Sequence, residues 1–177
     1  MTIYYTGVGA RRIPKDIAEF MTEIGIVLEE AGYMLRSGAS DGSDYSFEKK
    51  VRKLKEIYLP WHGFNGSDSK LVVTDPEAYR IASGHHPGWD HLKDASKKFM
   101  ARNACQVLGL GLNTKSKFVI CWTEDGAETA RDRTPKTGGT GLAIALADSL
   151  GIEVLNLKNK ISYNKVKEFI QSIKESK

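Results

Sequence analysis

The chain has 177 residues, of which 41% are hydrophobic and 27% charged, a balance that excludes intrinsic disorder and collagen-like repeats. A single domain of this length buries roughly 70% of the surface its unfolded form exposes, so it needs no staple. The formal net charge of +4 favours anionic ligands without requiring nucleic acid, and no apolar run reaches the length of a membrane span.

Ile3-Tyr4-Tyr5 reads as a first strand that ends at Gly7-Val8-Gly9. Pro14 then opens a helix whose stripe is Ile17, Phe20, Met21, Ile24, Leu28 and Ala31, with Gly32 as its stop. Tyr33-Met34-Leu35-Arg36 is a second strand running into the small-residue segment Ser37 to Asp44, after which Phe47, Val51 and Leu54 predict a second, shorter helix. Glu56 to Leu59 is a third strand, closed by Pro60.

Trp61 to Ser69 reads as a loop, Leu71-Val72-Val73 as a short strand, and Asp75-Pro76 as the start of a helix through Ile81. A longer helix is predicted from about Asp94 to Leu110. The unbroken apolar run Phe118 to Trp122 fits a strand buried on both faces, as at the centre of a parallel sheet. A polar loop, Thr123 to Thr137, leads into Gly138-Gly139-Thr140-Gly141 and a helix from Leu142 to Leu150. Val154 to Leu157 is a last strand, and Ser162 is placed as the cap of a terminal helix with a lysine-rich, solvated face. Alternating strands and helices predict one α/β domain over residues 1–177, a Rossmann-like three-layer α/β/α architecture with a mainly parallel sheet.

Cys105 and Cys121 lie in apolar stretches and read as small core residues, and Met1 to Thr6 carries no basic start or long apolar core, so a cytoplasmic setting is expected. In open parallel sheets ligands collect beyond the carboxyl ends of the strands, so the three glycine-rich segments there are the candidate site. Gly7, Gly9 and Arg11 follow the first strand but lack the last glycine of a dinucleotide fingerprint. Ser37, Gly38, Ser40, Asp41 and Asp44 follow the second. Their carboxylates suit ribose hydroxyls and their amides suit oxygen ligands, while Asp44 reads equally well as a helix cap. Gly138, Gly139, Thr140 and Gly141 before a helix suit a phosphate, because small residues let the anion reach unpaired amides at a helix start. Arg131, Arg133 and Lys136 are candidate clamps, although the acidic residues of their loop fit a mobile solvated lid as well. The histidines His62, His85, His86 and His91 lack cysteine partners, and no metal or cofactor is predicted. Trp61, His62 or Trp89 is placed to stack on a base, while for the two tryptophans packing at the edge of the core is the competing reading.

Taken together, these segments resemble the SLOG superfamily, which includes the lonely-guy phosphoribohydrolases and the DprA proteins. Ser37 to Asp44 is similar to that family's small-residue segment after the second strand, Arg102-Asn103 to its arginine-asparagine pair, and Gly138 to Gly141 to its phosphate turn. Leu59 to Gly66 and Phe118 to Thr123 look like the corresponding parts of bacteriophage-encoded members, which adds His62 and Thr123 to the implied ligand residues. Three positions depart from the phosphoribohydrolase motif. Thr137 stands for its proline, Leu142 for its second threonine and Ala145 for its glutamate, and an alanine cannot move a proton. The resemblance therefore implies binding of a phosphorylated nucleotide or nucleotide-derived signal, for sensing or sequestration. Two alternatives are an N-glycosidase using Asp41 or Asp44 and a DprA-like single-stranded DNA binder. It also implies a homodimer or higher oligomer, with the helix of Phe99, Cys105 and Leu108 as a candidate seam, although a simple core face is the default explanation of that stripe.

Overall fold

The computed structural model describes residues Met1–Lys177. Six strands, β1 (Ile3–Gly7), β2 (Tyr33–Ser37), β3 (Lys55–Leu59), β4 (Leu71–Val72), β5 (Phe118–Cys121) and β6 (Glu153–Asn156), form one sheet in the order β4-β3-β2-β1-β5-β6. Every pairing is parallel, so the sheet is wholly rather than mainly parallel. Helices α1 (Lys15–Glu30), α2 (Ser43–Glu48), α3 (Pro76–Ser83), α4 (Asp94–Leu108), α5 (Thr140–Ser149) and α6 (Lys160–Glu175) complete a single Rossmann-like α/β domain. No helix is long and apolar enough to cross a membrane.

The period-2 alternation of the strands divides the core between the two faces of the sheet. Tyr5, Leu35, Ile120 and Leu155 point to one side, where they meet Ile17, Phe20, Met21, Ile24 and Leu28 of α1, Phe47 of α2, and Val166 and Ile170 of α6. Val119, Cys121 and Val154 point to the other, against Ala104 and Val107 of α4 and Ala143, Ile144 and Ala147 of α5. The strand Phe118–Cys121 is buried on both faces, as its composition predicts. Each large aliphatic side chain so buried contributes about 1.5–3 kcal/mol, and this apolar contact seats the helices on the sheet.

Three sequence expectations are corrected. The second helix stops at Glu48, and Val51 and Leu54 lie beyond it. The carboxylate of Glu29 accepts the amides of Arg52, Lys53 and Leu54, so these donors turn toward a side chain on α1 instead of continuing the helix. Ser162 lies inside α6, whose N-cap is Asn159, and its hydroxyl donates to the Glu128 carboxylate across the neighbouring loop. Cys105 and Leu108 are buried against this chain's own sheet, so the face of α4 that carries them is core and not an open seam.

The strand order sets the position of the site. The chain builds outward from β1 to β4, returns through α4 to lay β5 on the opposite side of β1, and then adds β6. The connections leaving β1 and β5 therefore diverge at the carboxyl edge, and between them opens the crevice at which such sheets bind ligands.

Candidate functional site

A cleft of about 610 Å³ occupies that crevice. Gly9, Ala10 and Arg11 supply its wall after β1, Ser40 and Asp44 its wall after β2, and Gly138, Gly139 and Thr140 the start of α5. The fourth side is one face of α4: Phe99, Arg102, Asn103 and Gln106, at the spacing i, i+3, i+4, i+7 that aligns side chains along a helix.

At the α5 end the main chain offers donors. The amides of Gly138 and Gly139 make no hydrogen bond within the protein. Gly138 has φ 64°, a left-handed conformation that glycine adopts without strain, and its open side faces no atom within 4 Å. Unpaired amides at the start of this ten-residue helix carry its partial positive charge.

Arg102 is the buried cation of the site, 5% exposed. Its Nε donates to Asn103 Oδ1 at 2.8 Å and its Nη1 to the Gly38 carbonyl, while Nη2 donates to nothing in the chain. Asn103 in turn donates to the Gly139 carbonyl at 3.0 Å, so one amide ties the arginine to the glycine turn. Arg102 takes part in none of the molecule's ion pairs. Burial lowers its pKa to about 10, with the Asp44 charge opposing the shift, so it stays protonated at neutral pH. A buried guanidinium with a free N–H and no ion-pair partner within 4 Å is costly unless a ligand completes its coordination.

Asp44, 4% exposed, lies across the cleft and accepts the Ser40 amide at 3.2 Å. Burial raises its pKa to about 6, against the opposing pull of Arg102 and that amide. Because the folded pKa lies above the unfolded value of 3.8, the native state binds more protons than the unfolded state between the two. Stability therefore falls as pH rises from about 4 to 6. Asp44→Asn removes that slope, and urea titrations should find it about 1–3 kcal/mol more stable than the parent at pH 8, with the two converging at pH 4.

The loop between β5 and α5 is tied down rather than a free lid. Asp125 accepts the hydroxyls of Thr123 at 2.8 Å, Thr134 at 2.7 Å and Thr137, and the Ala127 amide at 3.2 Å. Burial acts to raise its pKa, but these donors outweigh it and hold the carboxylate well below its ordinary range. Thr123 also accepts from Asn156 at 2.7 Å, so this candidate ligand residue is instead part of the frame. Arg133 donates to the carbonyls of Ala130 and His85, Lys136 pairs with Glu124 at 3.5 Å, and only Lys136 of the three proposed clamps lines the cleft.

Of the residues singled out in the sequence, Gly9, Arg11, Ser40, Asp44, Arg102, Asn103, Gly138, Gly139 and Thr140 meet around one cleft. The others have structural roles or lie apart, among them Gly38, which is walled by Gln106 and Arg102 and does not line the cleft. Gly7 lets Phe47 pack on β1, since a Cβ there would lie 2.8 Å from its ring. Ser37 donates to the Gly7 carbonyl at 2.6 Å. Gly141 packs on Arg133 and borders a neighbouring cavity. Asp41 is exposed and receives Asn65 at 3.0 Å. His62 is exposed and outside the cleft lining.

The expected stacking residues are also displaced. Phe99 forms the aromatic wall, flanked by the guanidinium groups of Arg11 at 5.4 Å and Arg102 at 5.3 Å from its ring centre. Trp61 packs edge-on behind it, and Trp89 lies under Lys97. No three histidine, cysteine, aspartate or glutamate side chains converge as a metal centre requires. The i, i+3, i+4, i+7 pattern on α4 is the signal by which Phe99 and Gln106 were findable. Compared with protein-family models, characterised proteins and solved structures, the chain matches none, and the site's chemistry is read from its own residues.

Proposed function

We propose that this cleft binds a phosphorylated nucleotide or a nucleotide-derived signalling molecule, which the protein senses or sequesters. Its phosphate sits at the free amides of Gly138 and Gly139 with the Thr140 hydroxyl, its ribose lies toward Ser40 and Asp44, and its base rests on Phe99. The observation that carries this reading is Arg102, a buried guanidinium with an unused N–H beside an anion-accepting helix start. Lys136 and Arg11 place further positive charge at the rim. The likeness of Ser37 to Asp44, Arg102-Asn103 and Gly138 to Gly141 to SLOG motifs supports the same assignment.

The second reading, cleavage of an N-glycosidic bond, is favoured by one observation: Asp44, with a pKa of about 6, can hold or release a proton near neutrality within the cleft. Against it, Ala145 is buried inside α5 and lines no part of the cleft. Calorimetric titration with the four 5′-ribonucleotides and inorganic phosphate tests the binding reading, and chromatography of the same mixtures for free base separates the two. Saturable heat without released base is expected. Flat traces for every compound overturn the proposal, and sustained base release replaces it with the hydrolytic reading.

A further inference from the structure

Gln106 is 2% exposed, yet its side-chain amide makes no hydrogen bond within the chain. The one buried side-chain atom without a partner or solvent contact is the Tyr5 hydroxyl, so the Gln106 amide opens onto the cleft it lines. It stands one helical turn after Arg102, and both side chains pass over Gly38. A Cβ on Gly38 would lie 2.2 Å from Gln106 Nε2 and 2.5 Å from Arg102 Nη1. Gly38 therefore acts without touching ligand, by making room for two polar groups to reach the cleft floor.

That floor differs in kind from the α5 end. The glycine turn offers donors alone. The floor offers N–H groups from Arg102 Nη2 and the Gln106 amide, and acceptor oxygens from the same amide and from Asp44, one of whose oxygens takes the Ser40 amide. A phosphate placed here would face the Asp44 carboxylate, whereas a neutral group carrying both donors and acceptors satisfies every atom. Two adjacent hydroxyls have that character, since each donates one hydrogen and accepts others.

We infer that Arg102, Gln106 and Asp44 form a subsite for a vicinal diol, the 2′- and 3′-hydroxyls of a ribose, and that Gln106 makes the site select ribonucleotides over deoxyribonucleotides. This rests on the nucleotide reading above. Removing the 2′-hydroxyl leaves a buried amide or carboxylate unpaired in the complex, which corresponds to a loss of about tenfold or more in affinity.

The test compares ribose 5-phosphate with 2-deoxyribose 5-phosphate, which needs no knowledge of the base, and each 5′-ribonucleotide with its 2′-deoxy counterpart. Calorimetry on the unaltered protein should find the ribose form about tenfold or more tighter. Gln106→Met, matched in length, should bring the two forms within about twofold of each other, with thermal melting reporting that the variant is folded. Equal affinities in the unaltered protein, or a ratio that survives Q106M, overturn the diol subsite and leave phosphate binding standing. Absence of binding by every sugar phosphate and nucleotide overturns the nucleotide reading and this inference together.

Discussion

Replacing Arg102 by methionine is expected to weaken nucleotide binding by roughly 30- to 150-fold, the equivalent of about 2–3 kcal/mol for losing charge-assisted hydrogen bonds from a buried donor. The guanidinium is the buried positive charge of the cleft, and its Nη2 has no duty within the chain. Methionine keeps much of the volume and removes a desolvated charge, so the loss in binding exceeds any loss in melting temperature. The Gly38 carbonyl and Asn103 Oδ1 lose their donor, which sets a modest stability cost. Arg102→Lys separates charge from geometry. A lysine restores a point charge but not the fork that holds Asn103 and Gly38 while presenting a third N–H, so partial recovery is expected. Calorimetry with the tightest nucleotide of the titration series, beside thermal melting, gives both quantities. Unchanged affinity in R102M rules out the role assigned to this residue.

The second large effect is on stability. Asp125→Ala should cost about 3 kcal/mol in urea unfolding at pH 7, because one carboxylate gathers three threonine hydroxyls and an amide between β5 and α5. Its pH dependence runs opposite to that of Asp44. The folded pKa of Asp125 is depressed, so its contribution is complete above the ordinary carboxylate range and is lost as pH falls through and below about 4. The difference between parent and Asp125→Asn should accordingly be largest at neutral pH and shrink in acid. A constant difference from pH 7 down to pH 3 would show that the carboxylate's charge contributes nothing to this loop.

Most of the architecture was legible because apolar periodicity reports directly on burial. The unbroken run Phe118 to Trp122 identified a strand buried on both faces, β5, which lies next to the edge strand of the sheet, and the stripe Ile17 to Leu28 identified the helix that packs on β2. The two errors of helix assignment share a cause: side chains distant in sequence capture backbone or hydroxyl groups that local pattern assigns elsewhere. Glu29 ends α2 early by accepting three amides near Arg52, and Glu128 takes the hydroxyl of Ser162 that local pattern makes a cap. The same holds for the site. Glycine and helix-start chemistry located the turn at Gly138 to Thr140. Whether a glycine such as Gly7 or Gly38 meets ligand or merely admits a neighbour depends on what packs over it, and that is a tertiary fact. His62 and Trp61 were attractive by residue type, yet the cleft wall is Phe99, whose position along α4 became meaningful only in register with Arg102 and Gln106.

A sheet with no antiparallel hairpin also constrains how the chain comes together. The ladder that unites its halves pairs Thr6 with Val119, residues separated by well over half of the chain. Loop-closure entropy must be overcome before that contact rewards it, so β1 to β4 can associate early while β1 keeps one edge open until β5 arrives. The crevice therefore draws on segments that meet only when the long-range pairing closes, and it is incomplete in every partly folded state that lacks the β1–β5 pairing.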